Sequence, residues 1–380
     1  MNKTVYTVAF LMLSLLTLYS CKDQERKGAS ESKSKTSDTV DAGFKTIAYW
    51  TGRPQPIKDS NLEKLDQIIY SFLHLEGAEL KGREKDSLQL MYLSSLKEKY
   101  PKLEILVSLG GWGGCKTCSE VFASENGRAA FSASVKKILE TYKVDGIDLD
   151  WEYPGIAGFP DHQFLPEDTH NFTLLVEELR KTLGDSAVIS FAAGGFDEYL
   201  EKSIEWKEVM AVVDHVNLMS YDLVNGNTPH TGHLTSLYAT EEQQVSTDHA
   251  VKFLDSVGVA PEQIIIGAAF YARIWENVPD TDHGLYQQGD FKMGVSYKKI
   301  DSFVNSKKGF KTYWDTVAQA TYNYSPDEQL FMTYDDPKSL RQKVQYVKDN
   351  NLGGIMFWEL SGDTENDTLL NTIELVKKND

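Results

Sequence analysis

The sequence predicts an α/β protein, a (β/α)8 TIM barrel with a small α+β insertion between strand 7 and strand 8. Three observations carry this expectation. Short apolar runs rich in Ile, Val, Tyr and Phe recur at 46–50, 67–73, 104–109, 146–152, 188–193, 215–221, 264–271 and 354–358. Continuous apolar strands of this kind belong to a parallel sheet that is buried on both faces. The stretches between them, for example 128–142 and 170–183, place apolar residues at helical spacing, and eight strand–helix units in one chain match a (β/α)8 barrel. The third observation is an irregular interval. The gap from Tyr271 to Gly354 is about twice the others and holds Trp275, Tyr286, Phe291, Phe303, Phe310, Trp314 and Tyr324. A structureless loop of that length is unusual in a folded domain. Residues from about 274 to 329 are therefore expected to form the inserted subdomain. A helix over 337–350 leads into strand eight, closed by Asn351-Leu352-Gly353.

The chain has 380 residues, 41% of them hydrophobic, enough for a large core. Its net charge of −17 argues against a duplex nucleic acid partner, since phosphate binding needs clustered Lys and Arg. Neutral and cationic substrates stay open.

The N-terminus reads as a targeting segment. Lys3 precedes an apolar run over 5–18, the length of a signal-peptide core and short for a membrane span. The run ends at Leu18-Tyr19-Ser20-Cys21, which resembles a bacterial lipobox with Tyr19 in place of the usual small residue. The resemblance implies cleavage and lipidation at Cys21 and an exported lipoprotein of the cell envelope; an ordinary signal peptide and a secreted protein are the alternative. Residues 22–43 are polar and lack the apolar side chains a core needs, so they read as a flexible tether. The catalytic body is expected over 44–380, as a monomer by default.

Cys115 and Cys118 form a C-x-x-C pair. Such a pair serves a redox site, half a metal site or a local disulfide. With no second pair, a disulfide bracing one loop is preferred. Its loop is so short that it would add little stability through chain entropy.

The chemistry is concentrated in Asp145-Gly146-Ile147-Asp148-Leu149-Asp150-Trp151-Glu152. Alternate side chains of a strand share a face, so Asp148, Asp150 and Glu152 point one way and Ile147, Leu149 and Trp151 the other. A surface acidic patch does not explain this, because the opposite face is also apolar. Like charges in a confined site push pKa values apart, which keeps one carboxylic acid protonated near neutrality. Glu152 lies nearest the C-terminal end of the strand, where barrel active sites sit.

The segment from Asp145 to Glu152, with Tyr153 after it, resembles the D-x-x-D-x-D-x-E signature of family-18 glycoside hydrolases, the chitinase family. Four further motifs resemble that family in the same order. They are Ser108-Leu109-Gly110-Gly111-Trp112, Met219-Ser220-Tyr221-Asp222, Tyr271-Ala272-Arg273 and Trp358, placed at the ends of strands three, six, seven and eight. The likeness spans about Phe44 to the C-terminus.

The resemblance implies a substrate-assisted retaining mechanism, an exception among glycosidases to catalysis by two carboxylates. The substrate's 2-acetamido oxygen attacks the anomeric carbon and forms an oxazolinium ion. Glu152 is then the general acid and later the base. Asp150 holds the acetamido N–H, Asp148 shares a proton with Asp150, and Tyr221 binds the acetamido oxygen. Trp358 floors the cleavage subsite, with Met219, Asp222, Tyr271, Arg273 and Met356 around it. Tyr49 and Phe72 are expected as apolar walls, Gly111 as a point of close backbone approach, and Trp112 as a stacking surface on the product side. Asp145 has the other parity and is expected to position the strand. His230 and His233 lack the acidic or Cys partners of a metal site, so no metal and no cofactor is expected.

Chitin or a chitooligosaccharide is the implied substrate. An endo-β-N-acetylglucosaminidase acting on N-glycans would use the same acidic strand. A non-catalytic chitin-binding lectin would keep the scaffold, but such proteins have usually lost the acidic residue that stands here as Glu152. The insertion is expected to deepen the cleft and favour long chains.

Overall fold

In the structure, a computed structural model, residues 43–52 and 56–379 are described. The expected signal segment, Cys21 and the tether up to residue 42 lie outside them.

Eight parallel strands close on one another. They are β1 (Lys45–Trp50), β2 (Gln67–Glu76), β3 (Glu104–Gly110), β4 (Gly146–Asp150), β5 (Val188–Gly194), β6 (His215–Met219), β7 (Ile264–Ala269) and β8 (Gly354–Trp358). Each pairs with the next, and β1 pairs with both β2 and β8, so the sheet has no open edge between them. The expected (β/α)8 barrel is therefore present, with helices between the strands.

Strand parity separates two cores. Ile47, Tyr49, Ile69, Leu106, Ile265 and Met356 pack together inside the barrel. The alternate residues, among them Ala48, Ile68, Val107, Ile147, Leu149, Phe191 and Ile266, pack outward against the helices. Three of the helices begin where a short polar side chain satisfies the first free backbone N–H groups. Ser124 accepts from Gly127 N before helix Glu125–Tyr142, and Ser246 accepts from His249 N before helix Thr247–Ser256. Asp336 does the same for helix Pro337–Asp349, whose first residue is a proline with a pre-set φ.

A second sheet of five antiparallel strands follows β7. Its spatial order is Asp290–Ser296, Tyr271–Glu276, Leu330–Tyr334, Ala320–Ser325, Lys311–Asp315. Both faces are covered. Trp275, Tyr322, Tyr324 and Phe331 pack with Val224 from the loop after β6, while Ala272, Ile274, Met332 and Tyr334 pack with Ile300 of helix Ile300–Asn305.

Three barrel strands end short of the residues the sequence assigns to them, while β2 runs on past its expected end to Glu76. β4 stops at Asp150 and β6 at Met219, so Glu152 and Tyr221 stand on the loops just beyond. β7 stops at Ala269, and Tyr271 opens the second sheet rather than closing the barrel strand. The apolar run continues unbroken because Phe270, at the bend, is itself buried and stacks on Phe357 at 4.1 Å. The sheet thus runs from Tyr271 to Tyr334, wider than the expected 274–329. Asp335, the next residue, accepts from Ala269 N at 3.0 Å and from the buried Lys343 at 2.7 Å. These bonds tie the exit of the second sheet to the end of β7.

Candidate active site

The inward side chains of β4 continue into a cleft at the C-terminal end of the barrel. Asp148 is fully buried and accepts four hydrogen bonds. Ser108 Oγ (2.8 Å) and Tyr49 Oη (3.1 Å) donate to Oδ2, Ser190 Oγ (2.7 Å) and Asn217 Nδ2 (3.1 Å) to Oδ1. Burial raises its pKa, and these four donors pull it back. Asp150, the next side chain on that face, is 4% exposed, and its Oδ1 has no hydrogen-bond partner among the described residues. Burial, then the charges of Glu152 and Asp148, push its carboxyl well above the usual range. Glu152 stands at the cleft, partly buried. Desolvation raises it to about 7, the Tyr153 hydroxyl lowers it, and the charge of Asp222 raises it. A carboxyl with a pKa near 7 holds a proton at neutral pH and can both give and take it. Asp145 faces elsewhere: its Oδ2 accepts from Ile105 N at 2.8 Å and its Oδ1 pairs with Lys97, which fixes the start of the strand.

Around the carboxylates the rim is aromatic. Trp358 stacks on Phe72 at 5.5 Å and 17°, and Tyr49 meets it tilted at 5.8 Å and 52°. Tyr221 donates to Met356 Sδ at 3.8 Å and meets Tyr271 edge-on at 6.1 Å. Burial and the nearby carboxylates raise the Tyr221 hydroxyl well above its usual range, so it remains a donor. Asp222 is held by Arg273 through Nε–Oδ1 (2.9 Å) and Nη2–Oδ2 (2.8 Å), a bidentate pair that sets the plane of the carboxylate. Trp112 is 52% exposed and contacts Tyr153 and Phe159.

A cavity of about 910 Å³ opens here. Of the residues singled out in the sequence, Glu152, Asp150, Tyr221, Trp358, Trp112, Phe72, Met219, Asp222, Tyr271 and Arg273 line it. Asp148, Tyr49, Met356 and Gly111 are buried beneath or behind the lining. Tyr49 is thus not a wall of the cleft: its hydroxyl is spent on Asp148. Gly111 has φ +78, and a Cβ there would lie 2.3 Å from Cε2 of Phe72, so the backbone approaches the Phe72 ring rather than the cavity.

Sequence reasoning passed over Ser190 and Asn217, which hold Asp148. Their signal was present, since each is a polar residue at inward parity within an apolar strand. Phe196, Asn225, Asn227, Phe291 and Glu359 also line the cavity without having been singled out as site residues. They lie on loops and on the second sheet, where strand parity carries no information about the barrel axis.

Cys115 and Cys118 are joined by a disulfide in the loop after β3. His233 is buried and hydrogen-bonds Asp315 Oδ2 at 3.0 Å, and His230 bridges to Gln288. Among the described residues no group of three or more His, Cys, Asp or Glu is placed to hold a metal ion.

A model of the glycosyl hydrolases family 18 matches residues 45–363. The chain belongs to glycosyl hydrolase family 18. The family-18 match starts at the first residue of β1 and takes in all eight barrel strands and the second sheet. The resemblance drawn from the acidic strand is thereby shown. Chitinase A1 of Niallia circulans is 32% identical over 307 residues, 74% of this chain and 44% of the relative. Chitinase A of Pseudoalteromonas piscicida is 29% identical over 347 residues, 76% of this chain and 41% of the relative. The chain spans less than half the length of these two relatives. A solved family-18 N-acetylglucosaminidase from Paenibacillus barengoltzii matches with a TM-score of 0.81 and 34% identity, over 88% of this chain and 99% of that one.

Proposed function

We propose that this protein is a chitinase that hydrolyses β-1,4 bonds between N-acetylglucosamine units with retention. The observation that carries the reading is the acidic stack, in which a deeply held Asp148 and a raised Asp150 lead up to a Glu152 poised at about 7. Glu152 protonates the glycosidic oxygen as the C–O bond breaks. The acetamido oxygen of the same sugar attacks the anomeric carbon from the other face, giving an oxazolinium ion. Asp150 takes the acetamido N–H and balances the positive charge that develops. Tyr221 donates to the acetamido oxygen, and Trp358 supports the sugar from below. Water, deprotonated by Glu152, opens the oxazolinium and restores the starting configuration.

The names of the two curated relatives support chitin as the substrate class. The name of the Paenibacillus structure supports a second reading, release of single N-acetylglucosamine units by the same chemistry. Incubation with the N-acetylglucosamine hexamer, beside a high-mannose glycoprotein, tests both. Release of disaccharide from the hexamer supports the chitinase, and monosaccharide alone supports the second reading. Glycan release with an intact hexamer overturns both in favour of the endoglycosidase, and binding without product favours the lectin.

Export and lipid anchoring through Cys21 belong to the same proposal. The apolar run over 5–18 and the polar segment after Cys21 support them. A Cys21→Ser variant is expected to leave the membrane fraction; unchanged fractionation would contradict the anchor.

A further inference from the structure

We propose that Phe291 is an outer sugar-stacking platform of the cleft, supplied by the second sheet, and that it makes cleavage depend on chain length. The inference rests on the chitin-cleaving reading above and deepens it. Phe291 lies on the edge strand Asp290–Ser296, at a register irregularity between Phe291 and Met293. It is 38% exposed and lines the cavity. Three neighbours hold its ring. Trp275 meets it edge-on at 5.6 Å and 74°, and the Arg273 guanidinium lies 5.9 Å from its centroid. The backbone of Gly226 presses so close that a Cβ there would stand 2.9 Å from ring Cδ1.

A ring fixed in this way loses little rotamer freedom when a ligand covers the part that stays exposed. Arg273 is also the partner of Asp222, so one ion pair connects Phe291 to a carboxylate that lines the same cavity. Asn225 and Asn227 line the wall beside it. A flat apolar ring flanked by amides suits a sugar, whose faces are apolar and whose edge carries hydroxyls. If Phe291 only covered Trp275, its loss would weaken the second sheet without regard to substrate length.

The test compares wild type, Phe291→Ala, Phe291→Leu and Phe291→Trp on the N-acetylglucosamine trimer and hexamer, with thermal unfolding of each. Phe291→Leu keeps an apolar cover on Trp275 and removes the aromatic face. Both the Ala and Leu variants are expected to lose about tenfold in kcat/KM on the hexamer, mainly through KM, the size of one aromatic stacking contact. Trimer cleavage is expected to stay within about twofold of wild type, and Phe291→Trp to keep the hexamer rate. Equal losses on both substrates, no loss on the hexamer, or a Leu variant that behaves as wild type would overturn the proposal. A wild-type protein that cleaves neither oligomer would instead sink the reading on which the proposal rests.

Discussion

Asp148 and Asp150 share one face of β4, yet Asp148 accepts four hydrogen bonds while Asp150 leaves Oδ1 without a partner among the described residues. Burial disfavours ionisation of both. Only Asp148 has donors to offset it, so the negative charge is better tolerated at the bottom of the stack than one step higher. The proton that the proposed chemistry delivers to the substrate is the one on Glu152, above both.

The activity on chitooligosaccharides is expected to fall as pH rises through about 7. Glu152 has a pKa of about 7, and the proposed acid must be protonated to act. A kcat/KM profile over pH 5 to 9 checks this. A rate that stays flat to pH 9 would remove Glu152 from that role.

Stability follows the same group. The folded pKa of Glu152, about 7, lies above its ordinary 4.5, so the folded state binds the proton more tightly. Its contribution is most favourable below pH 4.5 and is lost as pH rises to 7. Glu152→Gln cannot ionise, so it is expected to gain on wild type across that window, by about 3 kcal/mol at pH 8. Denaturant midpoints at pH 4.5 and pH 8 measure it. An equal difference at both would contradict the argument.

Much of this was legible in the sequence, for a physical reason. A buried parallel strand has to be apolar on both faces, so the eight runs stood out, and three acids at one parity in such a run could only face the barrel axis. Tyr49 was misplaced because parity puts a side chain inside a barrel without saying how deep it sits. Tyr271 was assigned to β7 because Phe270 keeps the apolar run continuous through the bend. Ser190 and Asn217 were overlooked because a single polar residue in a strand carries no motif.

Those two residues have measurable weight. Ser190→Ala and Asn217→Ala each remove a donor from a buried carboxylate. Each is expected to cost about 1.5–3 kcal/mol in denaturant unfolding and to lower activity by raising Asp148 further. Wild-type stability in both would show that Asp148 is not held as an anion.

Gly111 offers a paired test. Gly111 and Gly77 both have positive φ, but a Cβ at Gly111 would strike Phe72 while none of the neighbours of Gly77 lies within 4 Å. Gly77→Ala is expected to cost about 1–2 kcal/mol through backbone strain and to leave activity unchanged. Gly111→Ala carries the same strain and also displaces Phe72 from Trp358, so activity is expected to drop. Equal activity in the two variants would contradict that role for Phe72.

The most direct test is hexamer turnover by wild type and Glu152→Gln, with hexamer binding measured calorimetrically on both. Loss of the general acid is expected to lower kcat by about 10²–10⁴ while binding is retained, because the cleft keeps its shape and loses only the proton. Near wild-type turnover in Glu152→Gln would contradict the central claim.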